Sequence, residues 1–186
     1  VSAKMRLGFN DDSTAEECAL ALEAGGASEI VVHARTKADA YRPPAYWHRI
    51  ADIKAKVKTP LVANGEIWNV QDALQARAES GCFDLMLGRG IVTNPGLGWA
   101  IQAHDAGVDA AIRVIDWDDV AEQMATFWSL VAGHVSPRHQ AGRLKQWLNF
   151  LRRHYPQAQL AYDHLRTIND PHLVHRWILD LKINSN

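Results

Sequence analysis

The sequence predicts an α/β fold with a parallel sheet, followed by a segment made of helices only. Over about the first hundred residues, short apolar runs alternate four times with amphipathic stretches, which is typical of strands and helices in a parallel sheet. The apolar runs are of the kind that is buried on both faces. From Asp116 onward the apolar residues recur at helical spacing only.

The first segment contains four predicted strand–helix pairs in order. The predicted strands are Val1–Leu7, Glu29–His33, Pro60–Asn64 and Phe83–Leu87. The predicted helices are Thr14–Ala24, Tyr46–Val57, Val70–Ser80 and Asn94–Ala106, with Asp12 or Ser13 as the first N-cap and Gly81 and Gly107 as stops. Periodicity alone leaves two parallel architectures open: a doubly wound sheet and half of an eight-stranded barrel.

The second segment contains four predicted helices. The first is capped by Asp116 and ends at Gly133; the others span about 138–154, 157–166 and 171–183. Asp170 is the predicted N-cap of the last helix, with Pro171 at its first position. We expect a boundary between a first domain, residues 1–110, and a helical domain, residues 111–186.

The charge of the chain is distributed unevenly. Residues 1–133 hold 12 lysines and arginines against 18 acidic residues, whereas residues 134–186 hold 8 against 3. The basic segment suits a polyanionic partner, although chance clustering on a solvated surface gives the same counts. No apolar run approaches the ~20 residues of a membrane helix. Cys18 and Cys82 have no metal-ligand spacing, so we expect no metal and a reducing, cytoplasmic location.

Polar residues and glycines follow each predicted strand. In a parallel sheet these carboxyl ends are where functional groups gather. Asn64-Gly65-Glu66 and Gly88-Arg89-Gly90 resemble paired phosphate-binding loops, in which glycine lets backbone N–H groups approach an anion. Lys4, inside the first strand, is expected to be buried beside an anionic or electron-rich partner, and His33 ends the second strand. The alternatives are that these glycines serve ordinary turns and that Arg89 is a surface cation. Lys4 could likewise be an edge lysine in solvent, and His33 a structural histidine.

Five segments carry a resemblance to a known family. They are VSAKMRLG with Lys4, VVHARTK with His33, PLVANGEIW with Asn64, MLGRGIVTNP with Arg89, and GRLKQWLNFLRRHY in the basic tail. In this order they closely resemble the second half of bacterial tRNA-dihydrouridine synthases. The tail is most similar to the C subgroup, which modifies position sixteen of the tRNA D-loop.

The resemblance implies a fold, a reaction and a set of binding residues. Residues 1–110 would be the second half of an FMN-binding (β/α)8 TIM barrel, and residues 111–186 a small helical-bundle domain that binds tRNA. NADPH would reduce the FMN, which then reduces a flipped-out D-loop uridine to 5,6-dihydrouridine. The implied cofactor-binding residues are Lys4, His33, Asn64, Gly65, Glu66, Gly88 and Arg89. The implied tRNA-binding residues are Arg6, Arg143, Lys145, Phe150 and Arg166.

The sequence lacks one motif of the family. The proton-donating cysteine of these enzymes lies in an Asn-x-Gly-Cys-Pro loop of the first barrel half, and no such loop occurs here. We therefore assign no catalytic residue within these 186 residues and expect the cysteine, with the missing barrel half, upstream. The chain alone is predicted to be inactive, to bind FMN poorly, and to dimerise or aggregate. Two alternatives remain open: another FMN barrel that acts on a small molecule, and a non-catalytic RNA-binding module.

Overall fold

A computed structural model of the chain describes residues 1–108 and 114–183. The described chain divides into two compact units. The first comprises Val1–Ile91 and Ile101–Gly107, and the second comprises Val92–Ala100 and the described part of Val108–Asn186. The predicted domain boundary at residues 110 and 111 lies outside the described residues and stays a prediction.

The first unit is built on a four-stranded parallel sheet. Its strands are β1 (Ser2–Gly8), β2 (Glu29–Thr36), β3 (Leu61–Asn64) and β4 (Leu85–Met86), hydrogen-bonded in the order β1-β2-β3-β4. The predicted parallel α/β architecture is therefore confirmed. The register aligns Arg6 with His33, His33 with Asn64, and Asn64 with Met86, so one row of residues crosses the sheet at its carboxyl end.

The two faces of β1 differ in burial. Met5 and Leu7 are buried, whereas Lys4 is exposed and Arg6 is half-buried. Since successive strand residues point to opposite faces, Lys4 and Arg6 share the face opposite the apolar pair. Three helices, α1 (Ala15–Ala24), α2 (Trp47–Lys54) and α3 (Val70–Ser80), contact the strands and follow one another in order. In β1 one face is therefore apolar, and the other carries two cationic side chains that precede the carboxyl end of the strand.

The helix boundaries partly follow the local signals. The bounds of α3 are as predicted: the Asn69 side chain accepts from the backbone N–H of Asp72, and Gly81 ends the helix at φ 67°. The predicted N-cap of α1 is wrong, because Thr14 holds that position and the Asp12 carboxylate instead pairs with Arg49 at 2.6 Å.

The predicted helix Asn94–Ala106 begins three residues later than expected, and a short helix that was not predicted precedes it. The short helix is α4 (Arg89–Thr93), and the predicted helix is α5 (Leu97–Asp105). Between them, Asn94 accepts a 3.0 Å hydrogen bond from the backbone of Gly96, and Pro95 has no N–H to offer a helix. The prediction placed a phosphate-binding loop where α4 begins, because glycines on both sides of Arg89 mask the helical turn.

Four helices of the second unit surround a common apolar core. They are α6 (Trp117–His134), α7 (Pro137–Leu151), α8 (Pro156–Leu165) and α9 (Pro171–Ile183). Asp116 caps α6 as predicted, in a reciprocal capping box with Asp119. Gly133 does not end α6, which continues to His134. The core includes fully buried side chains of all four helices, among them Met124, Leu144, Leu148, Leu165 and Ile178.

Candidate functional site

A cavity of about 240 Å³ lies at the carboxyl ends of the four strands. All seven residues predicted to bind the cofactor line this cavity, and Arg6 lines it as well. The full set is Lys4, Arg6, His33, Tyr41, Asn64, Gly65, Glu66, Ile67, Trp68, Met86, Gly88, Arg89 and Gly90. The fold thus brings four separate strand ends around one concavity, because parallel neighbours end at the same edge of the sheet.

Lys4 and Asn64 are joined directly across this cavity. The Lys4 ammonium donates to Asn64 Oδ1 at 3.0 Å, and Asn64 Nδ2 donates to the Met86 carbonyl at 2.7 Å. The prediction that Lys4 is buried is wrong, since its residue is exposed, although its side chain lines the cavity. Its ammonium is nevertheless desolvated enough that burial, followed by the Arg6 charge, lowers its pKa.

His33 is the most strongly perturbed titratable group of the cavity. Burial first, and then the charges of Arg6, Lys4, Arg35 and Arg89 in that order of importance, together lower its pKa to about 4. The residue is only 8% exposed. At neutral pH the imidazole is therefore neutral, so it offers one donor and one acceptor nitrogen to a ligand.

Glu66 is the centre of an ionic network at the rim. Its Oε1 accepts hydrogen bonds from Arg35 Nη1 at 3.1 Å and from Arg89 Nη2 at 2.6 Å. Its Oε2 accepts from Trp68 Nε1 at 3.1 Å. Its backbone has a positive φ of 52°, which is unusual for a residue other than glycine. Both carboxylate oxygens are thus engaged by other residues of the protein.

Three residues of this network were missed by the sequence analysis. Arg35 is fully buried, and the rings of Tyr41 and Trp68 lie 4.9 and 5.0 Å from the Arg89 guanidinium carbon. Arg35 had a usable signal, because it lies two residues after His33 and so points to the same face of β2. Tyr41 had none, since it lies in the long β2–α2 loop and reaches Arg89 only through the tertiary fold.

Gly65 occupies a position that only glycine fills without strain. Its φ is 123°, and a Cβ built there would lie 3.0 Å from His33 Cδ2. Its carbonyl accepts from Trp47 Nε1 at 2.9 Å, which fixes the loop from the other side. A Cβ at Gly88, in contrast, would meet nothing within 4 Å, so glycine there keeps the backbone open.

The charge of the cavity suits an anionic ligand rich in hydrogen-bond acceptors. Its walls carry the cationic groups of Lys4, Arg6 and Arg89, with Arg35 behind them, against the single carboxylate of Glu66. The groups that face a ligand are mainly donors: ammonium, guanidinium and imidazole. FMN, with a phosphate and an electron-rich pyrimidine edge, fits this donor set and the close approach that glycine permits at Gly88.

The residues predicted to bind tRNA fall into separate groups. Arg143 and Phe150 line a second cavity of about 430 Å³, with Val92, Phe127, Gln146 and Trp147. Lys145 instead donates to the Arg166 carbonyl at 3.1 Å and to Asn169 Oδ1 at 2.8 Å. Arg6 belongs to the first unit, where it donates to the Thr36 carbonyl at 2.9 Å. Within the second unit, Arg143 thus lies with Phe150, and Lys145 with Arg166.

Neither cysteine lines the main cavity. Cys18 is exposed on α1, and Cys82 is buried before β4, where burial raises the pKa of its thiol. Across residues 1–108 and 114–183 no group of His, Cys, Asp and Glu is arranged to hold a metal ion. In the same part of the chain, no helix combines the length and apolar character needed to cross a membrane.

The fold and the cavity define a parallel α/β protein with a cationic, donor-rich cavity at its strand ends. A family model for dihydrouridine synthases matches residues 1–162 of this chain. The chain belongs to the dihydrouridine synthase family. The resemblance seen in the strand-end motifs is thereby confirmed.

Several curated relatives are similar to this chain. The tRNA-dihydrouridine(16) synthase of Pseudomonas putida is 45% identical over 170 residues, which cover 91% of this chain and 52% of that protein. That of Cupriavidus necator is 44% identical over the same length, covering 91% and 52%. That of Neisseria meningitidis serogroup A is 38% identical over 177 residues, covering 95% and 53%. The chain spans about half the length of these relatives.

Proposed function

We propose that this chain is the C-terminal part of an FMN-dependent tRNA-dihydrouridine synthase that reduces a D-loop uridine, at position 16, with NADPH as reductant. The observation that carries the proposal is the convergence of Lys4, His33, Asn64-Gly65-Glu66 and Gly88-Arg89 on one cationic cavity. The names of the relatives support the reaction and the position.

We propose that residues 1–110 form half of an eight-stranded barrel. The four strands follow one another in chain order without the reversal that marks a doubly wound sheet. Within the described residues the sheet ends at β1 and β4, and a barrel needs a neighbour for each of these edges. The relatives are about twice as long as the matched region, which leaves room for four further strand–helix pairs.

In this proposal the residues of the cavity bind and orient the cofactor. FMN, when bound, supplies the hydride that saturates the uracil ring. Lys4, oriented by Asn64, places a cation at the pyrimidine edge, where reduction leaves negative charge. Neutral His33 hydrogen-bonds the same ring. Gly65 and Gly88 let backbone N–H groups approach the phosphate, and Arg89 adds a charged contact.

The same proposal leaves proton transfer to a residue outside these 186. Neither cysteine lines the cavity, and no other thiol is present in the sequence. The donor would be the cysteine of the first barrel half, so the 186 residues alone would not catalyse the reaction. The cytoplasmic location remains a prediction.

The helical domain, residues 111–186, is proposed to hold the tRNA while the uridine leaves its stack. Arg143 and Phe150 offer a cation and a half-buried aromatic ring at one cavity, a combination that suits a phosphate beside an unstacked base. Lys145 and Arg166 lie together at a second position, and Arg6 would act from the barrel.

The test uses the complete gene product, tRNA transcripts and NADPH. We expect bound FMN and a tRNA that gains the mass of two hydrogen atoms at uridine 16. A transcript with cytidine at that position is the control and should gain nothing. An enzyme without flavin, or one that reduces a small molecule and leaves tRNA unchanged, would refute the proposal.

A further inference from the structure

Glu66 is an acidic side chain in a cavity that otherwise suits an anion. Taken by charge alone, its carboxylate weakens anion binding, since like charges repel. In the structure, however, both oxygens of the Glu66 carboxylate accept hydrogen bonds from protein donors. Glu66 therefore contributes to the site through the side chains that its carboxylate holds in position.

Buried Arg35 fixes the position of the Glu66 carboxylate. The Arg35 side chain is completely buried, its Nε donates to the Pro44 carbonyl at 3.0 Å, and its Nη1 donates to Glu66 Oε1. A buried guanidinium needs a carboxylate partner, because an uncompensated buried charge is costly. The position of the Glu66 carboxylate is thus set by the interior of the fold.

Arg89 is held by Glu66 and by two aromatic rings. The Glu66–Arg89 contact is 2.6 Å, and the guanidinium lies near the faces of Tyr41 and Trp68. The Arg89 side chain keeps 34% of its surface exposed, so part of the group remains available to a ligand. A long, flexible side chain is in this way immobilised before any ligand arrives.

We propose that Glu66 is a positioning residue: anchored by buried Arg35, its carboxylate holds the Arg89 guanidinium at the cavity so that it meets the phosphate of the flavin. The proposal rests on the proposed function, because it takes FMN as the ligand. It replaces the expectation that Glu66 binds the cofactor itself. Arg89 makes the contact, and Glu66 acts through it.

The test compares FMN with riboflavin, which lacks the phosphate, in the complete gene product. Dissociation constants are measured by flavin fluorescence for the wild type, Glu66→Gln, Arg89→Ala and the double variant. We expect Glu66→Gln to weaken FMN about tenfold and riboflavin less than about twofold. In the Arg89→Ala background the Glu66 change should have no further effect, since its partner is gone.

If net charge alone governed binding, Glu66→Gln would have the opposite effect on FMN affinity, because removing a carboxylate should strengthen the binding of an anion. Glu79→Gln is the matched control: it makes the same charge change on α3 but outside the cavity, where Glu79 accepts from Gln75. FMN affinity that is unchanged or higher in Glu66→Gln overturns the proposal. Equal losses for FMN and riboflavin, or additive losses in the double variant, overturn it as well.

Glu66→Gln also leaves Arg35 without a counter-charge, which threatens folding. Glu66→Asp keeps a negative charge beside Arg35, while the shorter side chain draws the oxygen that accepts from Arg35 and Arg89 back by one methylene. It should show the same selective loss of FMN with an unfolding midpoint above that of Glu66→Gln, and no such loss counts against the proposal. A wild-type protein that binds neither flavin refutes the proposed function instead, so the two failures are distinguishable.

Discussion

The ammonium of Lys4 and the side-chain oxygen of Asn64 are 3.0 Å apart, although 60 positions separate the two residues in the sequence. Asn64 must present its oxygen to Lys4, because an ammonium can only donate, and its amide nitrogen donates to the Met86 carbonyl on the other side. The main chain of β4 thereby sets the direction of the amide, and the amide sets the direction of the lysine.

This relationship predicts that Asn64→Ala weakens the binding of FMN and of riboflavin alike. Without its acceptor the Lys4 ammonium is free to leave the cavity, and the lost charged hydrogen bond corresponds to about a tenfold drop in affinity. Flavin fluorescence titration of the complete gene product measures both ligands. Because Lys4 is proposed to face the flavin ring, unchanged riboflavin affinity would contradict this role.

His33 predicts a dependence of stability on pH. Its pKa is about 4 in the folded protein and about 6.5 in an unfolded chain, so the unfolded chain takes up the proton first as pH falls. The contribution of neutral His33 to the free energy of unfolding is complete above pH ~6.5 and is lost as pH falls towards 4. Between pH 7 and 5 we expect a loss of about 2 kcal/mol in the free energy of unfolding from this group.

The measurement for His33 is denaturant unfolding of the complete gene product at several pH values. His33→Asn should flatten the slope between pH 7 and 5, whatever its effect on absolute stability. Direct titration of the imidazole by NMR should give a pKa well below 6. An ordinary histidine titration would show that neither burial nor the surrounding cations act on this ring as proposed.

Gly65 and Gly88 form a matched pair for a test of backbone geometry. Gly65→Ala forces a residue with a side chain to φ 123° and presses its Cβ on His33, so we expect a loss of about 1–3 kcal/mol in stability. Gly88→Ala meets no atom within 4 Å, and its unfolding free energy should stay close to that of the wild type. Denaturant unfolding compares the two, and equal effects would contradict the geometric argument.

Arg143 predicts a change in the salt dependence of tRNA binding. As an exposed cation beside Phe150, it is expected to contact a phosphate, so Arg143→Ala should lower affinity and reduce the slope of log K against log salt by about 1. Filter binding at several salt concentrations measures this. Lys56→Ala, which removes an exposed charge near the end of α2, is the control and should leave the slope unchanged.

Lys145 differs from Arg143, because its ammonium already makes hydrogen bonds within the helical domain. It donates to the Arg166 carbonyl just after α8 and to Asn169, and partial burial lowers its pKa. Lys145→Ala should therefore cost about 1 kcal/mol of stability, whereas Arg143→Ala should not. Denaturant unfolding separates the two variants. If both leave stability unchanged, the hydrogen bonds of Lys145 do not contribute to it.

Several parts of the fold were predictable because their causes are local. The bounds of α3 follow from Asn69 and Gly81, and the start of α6 follows from the Asp116 capping box. Strand–helix alternation predicted the parallel sheet, and the motifs after the strands predicted which residues line the cavity. Each of these signals lies within a few positions of the element that it determines.

The sequence by itself determined the family, the order of the elements and the residues at the strand ends. Only the tertiary structure decided how those residues are connected: Arg35 bonded to Glu66, Tyr41 against Arg89, and Lys4 exposed and bonded to Asn64 rather than buried. The physical reason is distance along the chain. Ion pairs and ring contacts between residues of different strands and loops depend on packing, and no local propensity encodes that packing.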